Sequence, residues 1–95
     1  MSAYVITDVE ILDAGLYAQF LEKVTATVES HGGRFMARSS SIEVISGDWA
    51  PARLAILEFD SREQVHTWLN SQEYTALDDL RTKSSNINMV IVESQ

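Results

Sequence analysis

The chain has no cysteine, one proline, four glycines and only seven basic residues in 95. Without cysteine it forms neither a disulfide nor a thiolate metal site, so its stability must come from packing. So few prolines and glycines leave no linker-like stretch, and no repeat interrupts the sequence. Fourteen Asp and Glu set against seven Lys and Arg give a net charge of −7, which repels a phosphate backbone. Lys23, Arg34, Arg38, Arg53, Arg62, Arg81 and Lys83 are scattered, with no polybasic run for a nucleic acid or a charged lipid surface. No segment approaches the roughly 20 apolar residues of a membrane span, and Met1 to Tyr4 show neither the basic nor the apolar part of a signal peptide. The expectation is a cytoplasmic protein with no nucleic-acid or membrane partner.

What the chain does have is apolar material: 45% hydrophobic residues, with three Phe, three Tyr and two Trp. That is the composition of a folded globule, and 95 residues make one domain spanning 1–95. A domain this small exposes much of its surface, so association with a second copy is a natural expectation.

Punctuation and periodicity order the elements. Tyr4 to Val9 is rich in β-branched and aromatic residues and predicts a strand. Asp13 offers an N-cap, and Leu16, Phe20, Val24 and Val28, joined by Tyr17 and Leu21, predict an amphipathic helix from about Ala14 to His31. Gly32 and Gly33 end it. Phe35 to Ala37 and Ile42 to Ile45 predict a second extended region, bent at Ser39, Ser40 and Ser41. Gly47, Asp48 and Pro51 mark a turn before Arg53 to Phe59, which reads as a central strand. Ser61 and Gln64 have capping-box spacing ahead of Val65, Trp68 and Leu69; Ser71 restarts the chain before Tyr74, Leu77 and Leu80; and Ile87 to Val92 predicts the last strand.

The order strand, helix, strand, strand, helix, strand predicts an α+β ferredoxin-like sandwich, a four-stranded antiparallel sheet with both helices on one face. By alternation, Val5, Thr7 and Val9 oppose Tyr4, Ile6 and Asp8, while Ile87, Met89 and Ile91 oppose Asn88, Val90 and Val92. Both faces are apolar, so a homodimer through the uncovered sheet face is expected.

The most distinctive stretch runs His31-Gly32-Gly33-Arg34-Phe35 with Arg38, then Glu43, Gly47-Asp48-Trp49, Pro51 and Arg53. With Glu58-Phe59, Trp68, Ser71, Glu73-Tyr74 and Arg81, it resembles the domain-of-unknown-function family numbered 1330 over almost the whole chain. The resemblance implies a dimeric α/β barrel, in which ferredoxin-like subunits pair through their sheets. Relatives in that wider group include cofactor-free monooxygenases, haem-binding enzymes, muconolactone isomerase-like enzymes and stress proteins, so fold does not select function. This chain departs from the pattern in carrying Ser39 and Ser40 where many members have a glycine pair.

Within this frame Arg34, Arg38, Trp49 and Arg53 are candidate ligand-binding residues for a small organic acid, because a guanidinium fork holds a carboxylate with two parallel hydrogen bonds. Arg34 and Arg38, four apart in a strand, share a face unless a bend intervenes; the architectural alternative pairs them with Glu43 or Glu58. His31, Asp8 and Glu58 are candidate acid-base groups: His31 because it titrates near neutrality, the carboxylates because each lies in an apolar strand. His31 equally suits a helix C-terminus, and His66 reads as surface. No further ligand stands at metal spacing from either histidine, and no nucleophile elbow, phosphate loop or dinucleotide fingerprint occurs, so neither metal nor cofactor is expected. The functions left open are a homodimer that binds a small anionic or carbonyl-bearing organic ligand, a cofactor-independent monooxygenase-like or isomerase-like enzyme acting on a small aromatic or carboxylic substrate, and a structural dimer without pocket chemistry.

Overall fold

The computed structural model describes residues 2–94. β1 (Ala3–Ile11), α1 (Ala14–Ser30), β2 (Arg34–Ser39), β3 (Leu54–Phe59), α2 (Arg62–Leu69), α3 (Gln72–Thr75), α4 (Asp78–Ser84) and β4 (Ser85–Glu93) follow in that order. The sheet is antiparallel throughout with strand order β2-β3-β1-β4, and the apolar helices lie on one of its faces. The expected ferredoxin-like layout is therefore observed.

The helix starts are set by side-chain caps that satisfy free backbone N–H groups. Asp13 Oδ1 accepts from Leu16 N at 3.0 Å, Ser61 Oγ from Gln64 N at 3.1 Å and Ser71 Oγ from Tyr74 N at 3.2 Å. The core sits between α1 and the sheet, where Val5 and Val9 of β1, Leu57 and Phe59 of β3 and Phe20, Val24 and Val28 of α1 are buried. Trp68 seals one end: its ring stacks on Phe59 with centroids 5.3 Å apart, and its indole N–H donates to Thr27 Oγ1 at 2.9 Å.

Three expectations need correction. The dimeric α/β barrel implied by the family resemblance is not the architecture: the sheet is open, β2 and β4 are its two edges, and the backbone spans 35 × 32 × 16 Å, a flat two-layer slab. Closing a twisted sheet takes about eight strands, and the chain contributes four. The predicted strand at Ile42 to Ile45 is instead part of an irregular loop from Ser40 to Arg53, because no strand lies beside it to accept its backbone. The bend assigned to the serines falls earlier, where the β2–β3 register shifts between Phe35 and Ala37. Among the described residues no helix is long and apolar enough to cross a membrane.

Candidate functional site

The β-bulge at Met36 decides which face each arginine serves. Arg34 lies opposite Glu58 and points to the uncovered face of the sheet; Phe35 lies opposite Leu57 and points toward α1. The extra residue then shifts the alternation, so Ala37 meets Ile56 and Arg38 meets Ala55. Arg34 and Arg38, expected on one face, therefore stand on opposite faces.

On the uncovered face, Arg34 Nε donates to Glu58 Oε1 at 2.8 Å and its Nη2 donates to the same oxygen. That hydrogen bond, reinforced by one from Ser2, holds the Glu58 carboxyl below the usual carboxylate value. Asp8 is on this face as well, and its Oδ2 accepts from the Trp49 indole N–H at 2.9 Å, tying the 40–53 loop across the sheet. Trp49 covers a shallow hollow of about 250 Å³ bounded by Ile6, Asp8, Asn88 and Val90. Val90 and Val92 remain 55% and 48% exposed.

On the helix-covered face a second hollow runs between α1 and the sheet, with Tyr17, Leu21, Phe35, Leu57, Trp68 and Met89 in its wall. Its volume, taken as room for the centre of a water molecule, is about 40 Å³. Two guanidinium groups stand beside it. Arg38 lies over the Phe35 ring, 4.6 Å from its centroid, and Arg53 over the Tyr17 ring at 5.6 Å. The Arg53 carbonyl accepts from Val9 N at 2.9 Å, which continues the β1–β3 ladder and fixes its backbone. With Arg38 opposite Ala55 and Arg53 two residues before it, the two arginines stand diagonally on one face, a spacing of about 7–8 Å for diagonal positions of paired strands. Neither has a carboxylate within 4.0 Å among the described residues. Arg38 Nη1 donates only to a neutral oxygen, Thr25 Oγ1, at 3.1 Å.

His31 stands apart from both sets. It is the C-cap of α1; its Nδ1 donates to the Thr27 carbonyl at 2.8 Å, and its Nε2 is 4.0 Å from Glu73 Oε2. Its own carbonyl accepts from Gln64 Nε2 at 2.7 Å. The Gly32-Gly33 corner is filled: Gly32 takes φ +80°, and Gly33 lies flat against the Phe59 ring. His31, Asp8 and Glu58 thus do not converge. Among the described residues no three His, Asp or Glu side chains group to hold a metal.

The members of the helix-side site that sequence reasoning passed over are Tyr17, Leu21, Thr25 and Phe35. Tyr17, Leu21 and Thr25 recur at four-residue spacing on α1, a signal that reads as core stripe until the arginines are placed over it.

No curated protein matches the chain. Solved structures do. A protein of unknown function from Rhodopseudomonas palustris superposes with a TM-score of 0.81 at 13% identity, covering 99% of this chain and 82% of that one. SnoaB, a cofactor-independent oxygenase from Streptomyces nogalater, does so at 0.74 and 8%, covering 99% and 93%. A dabb family protein with a ferredoxin-like fold from Mesorhizobium loti gives 0.71 and 11%, covering 99% and 97%. Identities this low establish a shared fold and nothing finer. Residues 2–95 match the model of the domain of unknown function DUF1330, and the chain belongs to that family.

Proposed function

We propose that the protein binds a small organic acid on the helix-covered side of its sheet, with the carboxylate held by Arg38 and Arg53 and an apolar body in the hollow beneath α1. The observation that carries this reading is two arginines without carboxylate partners, in a chain of net charge −7, each lying over an aromatic ring that lines an apolar hollow. In an acidic protein free carboxylates are abundant, so two arginines left without one are suited to an external anion. The aromatic rings under them hold the guanidinium planes without neutralising them. Arg34, paired with Glu58, is left out of the proposed site. Isothermal titration calorimetry with a panel of small aromatic and aliphatic carboxylates tests the reading. Arg38→Gln and Arg53→Gln should each cost about 1.5–3 kcal/mol of affinity, the range for a hydrogen bond to a charged group. Arg34→Gln should leave affinity unchanged. Equal affinity in all three variants refutes the site.

A second observation supports a partner. Val90, Val92 and Met36 on the outside of the sheet are each about half exposed. A second copy laid against this face is the proposed cover, since burying apolar surface contributes about 25 cal/mol per Å². Sedimentation of the parent at twice the 10.6 kDa subunit mass, and of Val90→Lys with Val92→Lys at the subunit mass, is expected. A cytoplasmic site of action belongs to the same proposal and is checked by cell fractionation.

A further inference from the structure

The hollow beneath α1 is closed along the edge strand by very little. β2 is exposed over its length apart from Phe35, which is half-buried. Among the described residues, the side-chain hydrogen bond that joins β2 to α1 is the one from Arg38 Nη1 to Thr25 Oγ1. The Thr25 hydroxyl donates a hydrogen bond to the Leu21 carbonyl at 2.6 Å, so its oxygen is presented to the arginine in a fixed direction. Arg38 therefore crosses the seam between strand and helix above Phe35 and Leu21, and both of these side chains line the hollow below.

A volume of about 40 Å³ accommodates about three water centres at roughly 10–15 Å³ each, which is too little for an aromatic acid. A ligand enters only if the seam widens. Resting on the carboxylate-binding reading above, we propose that Thr25 is the gatekeeping residue of the hollow: it holds Arg38 across the entrance until an incoming anion takes the guanidinium from it. The exchange favours an anion. Thr25 offers Arg38 one bond to a neutral oxygen, whereas a carboxylate offers two parallel bonds and a full negative charge. A neutral molecule of the same shape makes no such exchange and has to wait for the latch to open unaided. Entry is thus selective for charge before the apolar wall is reached.

The test follows the fluorescence of 2-aminobenzoate and of its neutral isostere 2-aminobenzamide on the parent protein, with both tryptophans kept. Stopped-flow association should be at least about tenfold faster for the acid than for the amide, the factor that one hydrogen bond to a charged group supplies. Thr25→Val keeps the shape and removes the hydroxyl; it should speed entry of the amide by about the same factor and bring the ratio close to one. Thr25→Ser should restore the parent's discrimination. A purely structural role for Thr25 would lower the melting temperature of Thr25→Val and leave the ratio of rates as it was, and that result overturns the gate. If 2-aminobenzoate binds, loses affinity on Arg53→Gln and yet shows the same ratio in Thr25→Val, the gate is wrong and the binding site stands. If it does not bind the parent at all, both are overturned.

Discussion

Replacing Gly33 by alanine should destabilise the fold by about 1–3 kcal/mol, the usual cost of overpacking a core. A Cβ at this position would lie 2.5 Å from Cε2 and Cζ of Phe59 and 2.9 Å from Cε1. Carbon atoms in unstrained contact sit about 3.5–4.0 Å apart, so the overlap is about 1 Å against three atoms at once. The ring has nowhere to go: Phe59 is 1% exposed and its far face stacks on Trp68. Gly33 does not require a positive φ, so alanine pays no backbone strain there and recovers about 0.4–1 kcal/mol by restricting the unfolded chain. The net loss is therefore about 1–2 kcal/mol. At about 4–8 °C per kcal/mol for a domain of this size, the melting temperature should fall by about 5–15 °C. Urea unfolding followed by circular dichroism should give a lower midpoint at unchanged slope. Phe59→Leu, although costly alone, should make the alanine cheaper, so the two changes together cost less than their sum. An unchanged midpoint for Gly33→Ala, or strict additivity with Phe59→Leu, refutes the steric account of this corner.

Two further outcomes concern ionisation. Because Arg34 holds Glu58 below its ordinary carboxylate value, the ion pair contributes stability at and above that value and loses it as pH falls through the lowered one. Acid titration of Glu58→Gln should therefore lack part of the parent's stability loss below about pH 4; the same acid limb in both proteins would contradict the pairing. Burial raises the Tyr74 hydroxyl above its ordinary value of 10.0, so the folded state favours the neutral phenol and loses stability as pH rises through and beyond that value. Ultraviolet titration should show a phenol ionising above that ordinary value, absent in Tyr74→Phe, whose alkaline stability loss should be smaller.

Much of the architecture could be read in the sequence because its signals are local or periodic. Asp13, Ser61 and Ser71 cap helices where expected, since a cap needs only a short polar side chain three residues before a free N–H. Tyr4 to Val9 and Ile87 to Val92 became β1 and β4, two residues longer or more at one end. Ser61 and Gln64 show where local reading stops. Ser61 makes its half of the capping box, but the Gln64 amide turns to the His31 carbonyl, 33 residues away in sequence. The same bond explains the His31-Gly32-Gly33 run as the corner that docks the end of α1 on the start of α2. Ile42 to Ile45 has strand chemistry and no strand, because pairing depends on what lies alongside and a β-branched run carries no information about its neighbour.

The candidate site was harder to read than the fold, and a single residue accounts for most of the difference. Alternation assigns faces with a period of two, so one inserted residue reverses every assignment beyond it. Met36 is that insertion, and the stretch around it, Arg34-Phe35-Met36-Ala37-Arg38, contains no glycine to announce a bulge. Arg34 is thereby sent to Glu58 on the open face and Arg38 to Thr25 and the Phe35 ring on the helix-covered face. The Asp8–Trp49 bond spans 41 residues and has no sequence signature at all, yet it ties the loop that follows β2 and ends at Arg53 across the sheet. The bulge therefore sorts the basic residues into two chemically different groups. One is neutralised on the face that a second copy would cover, and the other remains without a carboxylate partner beside α1, where Thr25 offers Arg38 a neutral hydroxyl and Tyr17 offers Arg53 an aromatic ring. Deleting Met36 should leave that sorting in place: with the extra residue gone, Phe35, Ala37 and Arg38 alternate regularly against Leu57, Ile56 and Ala55, Arg38 keeps the helix-covered face, and carboxylate affinity should stay close to the parent's. A folded deletion variant that loses as much affinity as Arg38→Gln would refute the assignment of Met36 as the inserted residue.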